Sequence, residues 1–418
     1  MIAVQNPSPF TGGAMVFVDA FYDIRHSYNN KIAGFAISGF SGTQPATIQN
    51  IPEHQTGAVY NAGSGTFVLV DYAKESANPA ISGLAGGSAS IFITQNLQYV
   101  FAASQAAHVL TILDRSAGKT YYLNLPGVYR VSVNPSGSVA LAFLQNSDAV
   151  YSVVKLEANQ PAIPGAQDCE PQNLPVYCVV QVADPKHSFD RPTKAVFSPD
   201  GSTAFVLNCG PECGGTQASV SFLPVAGNII QNGTPVPPGA DLTVQVTIPT
   251  PGGARNALAN GNTLYVAGQQ LLDDGLFSGQ LTVLNTATQT VSGQYGISDG
   301  DHGKMILADD NTLWIGSRLC QEGERYKLSQ AGDPAALGCL TMFNTATNAV
   351  MLDSYKGDAT GIAAVTQLNK VYVAEGGQIH IYSTQDFHEL DNTNVTVTGT
   401  AYDVAYMDGL SNGNNTTY

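Results

Sequence analysis

VLTILDRSAGKT (109–120), QLTVLNTATQT (280–290) and CLTMFNTATNA (339–349) are near-copies of one another. Each reads as an apolar strand, a tight turn opened by Asp or Asn, and the start of a second strand. Self-similarity spread along a chain marks a repeat architecture, in which one supersecondary unit recurs. Working outward, a second motif recurs as a hairpin: YRVSVNPSGSVALAF (129–143), PTKAVFSPDGSTAFVL (192–207), ARNALANGNTLYVAG (254–268), HGKMILADDNTLWIGS (302–317) and TGIAAVTQLNKVYVAE (360–375). Its turns are Asn134-Pro135-Ser136-Gly137, Ser198-Pro199-Asp200-Gly201, Asn260-Gly261-Asn262 and Asp309-Asp310-Asn311, all rich in turn formers.

A hairpin followed by an LTVLNTAT-type hairpin makes four antiparallel strands, repeating at roughly 40–60-residue intervals, which is the β-propeller blade pattern. The expected fold is all-β: a single β-propeller of four-stranded blades. First strands are placed near 57, 88, 129, 192, 254, 303, 360 and 401. The count is eight, or seven if the short unit from 57 to 87 is not a full blade. The last first strand, AYDVAYMDG (401–409), has no strands after it, whereas AMVFVDAF (14–21), KIAGFAI (31–37) and PATIQNI (45–51) have no first strand before them. Combining them closes the ring through a blade shared between the N- and C-termini and removes exposed edges. The division is a 1–13 N-terminal extension, a 14–409 propeller and a 410–418 polar tail.

The SPDG and NPSG hairpins, the LTVLNTAT-type outer hairpins and the shared closing blade resemble the YVTN/YncE-type β-propeller repeat proteins of bacteria. The likeness runs from about residue 14 to 409, and the long cysteine-bearing inserts depart from it. It implies the fold rather than an activity, since that family includes binding and surface proteins, and related propellers include lactonases and quinoprotein dehydrogenases.

Composition bounds the partners. Charged residues are only 12% of the 418-residue chain and the formal net charge is −15, which argues against nucleic acid and anionic lipid surfaces. No stretch of 18 apolar residues occurs, so no membrane span is expected. Six cysteines fall into local pairs, Cys169/Cys178, Cys209/Cys213 and Cys320/Cys339, each in a Gly/Pro-rich insert. With no C-x-x-C, they read as disulfides of a secreted, periplasmic or cell-surface bacterial protein. Cys169 and Cys178 are placed between the third and fourth strands of their blade, the other two pairs between second and third strands. MIAVQNPSPF (1–10) has neither a basic n-region nor an apolar h-region, so the export signal is not in this numbering.

In a propeller, the turn entering each first strand and the turn between strands two and three open on the same face. Arg130, Arg191, Lys194, Arg255, His302, Lys304 and Asp358 stand at those entries, and five of them are among only 17 Lys and Arg residues. Long inserts at 20–31, 208–218, 269–279 and 318–338 point the same way, and long loops on one face of a rigid scaffold are where binding sits. These residues are the expected ligand site: Arg for a carboxylate, Asp for sugar hydroxyls.

The expected function is therefore a non-enzymatic binder of a protein partner or polar small molecule at the channel mouth. A lactonase-like hydrolase is the alternative with Asp299, Asp301, His302 and Asp403 as its metal or acid–base set. No cofactor is expected beyond a divalent cation that Asp299-Gly300-Asp301-His302 could hold, and that run lacks the calcium-loop pattern. With Trp314 the only tryptophan, a quinoprotein is disfavoured, and C-x-x-C-H for covalent haem is absent. The tail SNGNNTTY (411–418) and the segment before residue 14 suggest a third role, a self-associating surface protein forming homo-oligomers by strand addition.

Overall fold

The computed structural model describes residues 1–6, 12–25, 37, 40–157, 160, 163, 165–167, 176–225, 230–231, 234–235, 237, 239–333, 337–390 and 395–407. The chain is an all-β, eight-bladed β-propeller. Among the described residues, six sheets have four strands, two have three, and two further ribbons have two. One helix of seven residues, Glu324–Gln330, interrupts the strands, and no described helix is long and apolar enough to cross a membrane.

The quoted repeats are the third strands and outer turns of their blades. Asp114 Oδ1 accepts hydrogen bonds from the Ser116 and Ala117 amides at 3.0 and 3.1 Å. Asn285 Oδ1 does the same for Ala287 and Thr288, both at 3.0 Å, and Asn344 Oδ1 for Ala346 and Thr347 at 3.0 and 2.9 Å. The repeat thus encodes a side chain that supplies the turn's missing acceptor, which is why Asn or Asp stands there. The first hairpins work similarly: Asn134 Oδ1 holds the Val139 amide at 2.9 Å and Ser198 Oγ the Thr203 amide at 3.0 Å. Gly137 and Gly201 complete these turns at φ 71° and 70°, where an L side chain would be strained.

The chain forms two compact units. The first comprises Met1–Ser82, Leu271–Gln280 and Tyr295–Tyr418. Its sheets run Pro45–Ile51 to Ser76–Ala77, Asp301–Ala308 to Val350–Leu352, and Ala359–Val365 to Gln378–Ser383, with a closing sheet that brings Ile2–Gln5 and Thr400–Val404 together. In the closing sheet Ile2–Gln5 lies between Ala14–Val16 and Thr400–Val404, pairing antiparallel with both. Its side chains alternate: Ile2 and Val4 join one core with Tyr372 and Ala401, while Ala3 joins another with Met15, Ile48 and Val68. That period-two pattern is what a strand buried on both faces requires.

Two strand assignments therefore change. Ile2–Gln5, expected to precede the blades, is a strand of the closing sheet. Pro45–Ile51, expected as its outer strand, is instead the first strand of the next blade and pairs with Thr56–Asn61. That blade has four strands, so the count is eight. The segment 31–36 and the tail 408–418 lie outside the described residues.

The second unit, Gly83–Gln270 and Leu281–Gln294, begins its sheets at Ser88–Ile93, Val128–Val133, Pro192–Phe197 and Asn256–Asn260, close to the expected positions. Two disulfides are described in full, Cys209–Cys213 in this unit and Cys320–Cys339 in the first.

The third expected pair, Cys169 with Cys178, needs a correction in its placement. Cys178 does not stand in the insert between strands three and four. It lies within the fourth strand itself, Val176–Gln181, directly opposite Val154 of the third. The VYCVV run (176–180) is a buried strand, and Cys178 is 0% exposed in a core with Val154, Leu156 and Ala240. An apolar, β-branched run around a small hydrophobe forms a strand sooner than a loop. Cys178 is disulfide-bonded, while Cys169, the partner expected for it, lies outside the described residues.

Candidate functional site

The insert between the second and third strands of the Asp301–Leu352 sheet forms one side of a cleft in the first unit. It departs from the sheet at Leu319, whose backbone is left-handed at φ 58° and whose amide donates to Asp358 Oδ1 at 2.8 Å. Cys320 is then tied to Cys339 at the return to the sheet, so the insert is closed at its base. The helix Glu324–Gln330 follows.

Asp299 holds that helix. Its carboxyl is fully buried; Oδ1 accepts from the Gly279 amide and Oδ2 from the Arg325 amide, both at 2.7 Å. Arg325 Nε in turn donates to the Ile297 carbonyl at 2.6 Å. A carboxylate on a first-turn amide satisfies a donor the helix leaves open and complements its positive end. Burial pushes the Asp299 carboxyl above its ordinary value, against the two backbone amides that pull it down. Asp299→Ala would strand two amides, each at a cost of about 1–3 kcal/mol. The expected outcome is cleavage of the 318–338 insert by a protease at least tenfold faster than in the native chain. An unchanged cleavage rate would show that the helix is held by something else.

Between this insert, the Ala359–Val365 blade and the strand Thr400–Val404 lies a cleft of ≈ 670 Å³. Its lining includes Glu322 and Tyr326 from the insert, Tyr355 and Asp358 from the segment entering the blade, Gly376 and Gly377, and Tyr402. Tyr326 and Tyr355 are 40% and 43% exposed. The volume falls within the range of small-molecule sites, and aromatic walls with a few convergent polar groups are the usual composition of such sites. Among the described residues, the lining contains no Lys, Arg or His, although Arg318 bonds the lining residue Tyr402.

The residues expected from the sequence are placed as follows. Asp358 lines the cleft. Lys304 Nζ pairs with Asp403 Oδ1 at 3.1 Å, and Asp403, 1% exposed, also accepts from the Ile48 amide at 2.9 Å. His302 is buried with Nε2 at 2.7 Å from the Ser298 carbonyl oxygen. Asp301 holds Arg318 at 2.6 Å. Each of the four residues of the hydrolase alternative is thus in contact with a structural partner. Among the described residues, no three His, Cys, Asp or Glu side chains gather as a metal-binding group.

Arg130, Arg191, Lys194 and Arg255 belong to the second unit. There Lys194 Nζ donates to Asn256 Oδ1 at 2.8 Å and Arg255 Nη1 to Cys213 Sγ at 3.3 Å. The Arg130 guanidinium lies 5.8 Å from the Tyr129 ring centroid, and the Arg191 amide donates to Asp148 Oδ1 at 2.9 Å. The sequence reading missed Tyr355 and Tyr402; a tyrosine just before or within a first strand was the available signal.

No protein-family model matches the chain, and no curated protein matches its sequence. Among solved structures, hydrazine synthase of Kuenenia stuttgartiensis is similar with a TM-score of 0.54 at 14% identity, covering 84% of this chain and 99% of that one. The dihydro-heme d1 dehydrogenase NirN, solved in complex with DHE, is similar with a TM-score of 0.60 at 12% identity, covering 96% of this chain and 74% of that one. At these identities the likeness is one of fold, and it agrees with the propeller.

Proposed function

We propose that this chain is an exported, non-enzymatic β-propeller of the YVTN/YncE type that binds a polar, hydroxyl-rich molecule in the cleft of its first unit. The observation that carries this reading is the cleft itself: three tyrosines and two carboxylates converge there, and the cation beside it, Arg318, which bonds Tyr402, is already paired with Asp301. Tyrosine rings offer flat apolar faces with a polar tip, which suits the C–H face of a sugar ring. Carboxylates accept strong hydrogen bonds from hydroxyls, whereas an anionic ligand would meet Glu322 and Asp358 beside a single guanidinium, Arg318, that Asp301 already neutralises. The charge pattern therefore favours the hydroxyl-bearing class of ligand over the carboxylate-bearing one. Export is supported by the two fully described disulfides, since such bonds persist in oxidising compartments.

The test is calorimetric titration with neutral disaccharides (maltose, cellobiose and lactose). Saturable binding to the native chain is expected, weakened at least tenfold by Tyr355→Ala, with Glu322→Gln weakening it less. Absence of binding by all three sugars, or an affinity indifferent to Tyr355→Ala, would overturn the assignment.

A further inference from the structure

We propose that Glu375 is a proton-binding site linked to the cleft: its carboxyl group carries a proton when the cleft is formed, and ionisation loosens the cleft's wall. Only the functional consequence rests on the cleft's role as a ligand site.

The geometry carries the proposal. Glu375 ends the strand Lys370–Glu375, is 0% exposed, and its Oε1 has no hydrogen-bond partner among the described residues. Its other oxygen, Oε2, lies 3.1 Å from the Tyr382 hydroxyl, which is itself 2.5 Å from Asp353 Oδ2. A phenol has one proton to give. The shorter contact assigns that proton to Asp353, so the contact to Glu375 needs a proton from the Glu375 carboxyl. The order is a directed chain, Glu375 O–H to Tyr382 O–H to the Asp353 carboxylate.

The other charged groups around it are committed elsewhere. Lys356 Nζ pairs with Asp353, with Glu389 at 3.3 Å and with the Tyr382 hydroxyl at 3.1 Å. His380, on the Tyr382 strand, bonds Glu389 at 2.6 Å. Ionised Glu375 would thus add a further negative charge beside Asp353 and Glu389, with one lysine between them. Burial, reinforced by Asp353 and opposed by Lys356, pushes the Glu375 carboxyl up to about 8.

The link to the cleft runs through the backbone. Glu375 is followed by Gly376 and Gly377, and Lys356 is preceded by Tyr355; all three neighbours line the cleft. The two segments are joined where they meet, since the Gly376 amide donates to the Asp358 carbonyl at 3.0 Å. They also approach so closely that a Cβ on Gly376 would stand 2.0 Å from the Lys356 carbonyl oxygen. There is no slack there for a charge-driven displacement of one segment without the other.

The test is an NMR titration of the full chain between pH 5 and 9.5, following the Glu375 side-chain carboxyl carbon and the Gly376 and Gly377 amides. The expected result is one inflection near pH 8 shared by all three signals, absent from the glycine amides of Glu375→Gln. Titration of the carboxyl in the ordinary carboxylate range would overturn the proposal. So would glycine amides that stay flat, or that titrate identically in Glu375→Gln; should that variant not fold, the native carboxyl signal decides alone. A disaccharide that binds the native chain is expected to bind at least tenfold more weakly at pH 9 than at pH 6, and equally at both in Glu375→Gln. Failure of every disaccharide to bind, with the shared inflection intact, would remove the ligand assignment and leave the proton site standing.

Discussion

Glu375→Gln is expected to flatten a fall in stability that the native chain shows between about pH 4.5 and 8. The sign follows from linkage. The carboxyl sits at about 8 in the fold and at the ordinary glutamate value of 4.5 in the unfolded chain, so between these values the folded state holds the extra proton. Stability therefore falls as pH rises through the window and is fully retained below it. At pH 7 the loss is on the order of 3 kcal/mol, from about 1.4 kcal/mol per pH unit over the part of the window already crossed. Glutamine keeps the shape and the donor of the protonated acid and has no charge to acquire, so the variant should be the more stable protein at neutral pH. Trp314 is a built-in reporter, since it is the sole tryptophan and its ring lies 5.6 Å from that of Tyr382. Denaturant unfolding followed by its fluorescence at pH 5, 6, 7 and 8 reads the effect. Parallel pH profiles for the two proteins would show that Glu375 is ionised in the fold.

Truncation after Gly399 is expected to abolish the soluble monomer. The lost strand, Thr400–Val404, pairs with Ile2–Gln5, and its removal leaves that strand with an open edge of the kind that recruits other chains. Ala401 and Val404 leave the core they share with Ile2 and Tyr372. Lys304, of which 17% of the side chain is exposed, loses the Asp403 carboxylate, and removing one member of a buried pair typically costs about 3–5 kcal/mol. Asp403→Ala isolates that part and should destabilise the chain without creating an open edge. Size-exclusion chromatography with light scattering separates the outcomes: aggregate for the truncation, a weakened monomer for the point variant. A stable monomeric truncation product would mean that the closing sheet contributes little to the fold.

The contrast between what was and was not legible follows from how each feature is encoded. The blades were readable because each is local: an alternating strand, a turn with its own acceptor, and a second strand occupy adjacent positions. The error at Pro45–Ile51 arose because PATIQNI has the character of any strand, and which neighbour it pairs with is decided by register between segments. Ile2–Gln5 is four residues long and is recognisable only through its partners at both ends of the chain. Cys178 was misplaced for a related reason: the prolines before it read as loop, while the strand it belongs to is fixed by pairing with Val150–Leu156.

The candidate site shows the same division more sharply. Asp299, Asp301, His302 and Asp403 have the residue types of a catalytic set, but the fold uses Asp299 to hold a helix and Asp403 to hold a lysine and a backbone amide. A carboxylate looks the same in sequence whether it meets solvent or an amide, and only burial distinguishes the two. Asp358 was legible as a residue at the entry to a first strand, and the cleft does include it.

The sequence by itself determined the repeat, the turn chemistry, the all-β propeller and the pairing of Cys209 with Cys213 and of Cys320 with Cys339, because those depend on contacts between near neighbours or on a recurring local pattern. Tertiary structure alone decided how the closing sheet is threaded, that Cys178 sits inside a blade strand, that Tyr326, Tyr355 and Tyr402 share one cleft, and that Glu375 is sealed against Tyr382. These depend on which distant segments exclude water together, and neither pairing register nor desolvation is written in the spacing of residues.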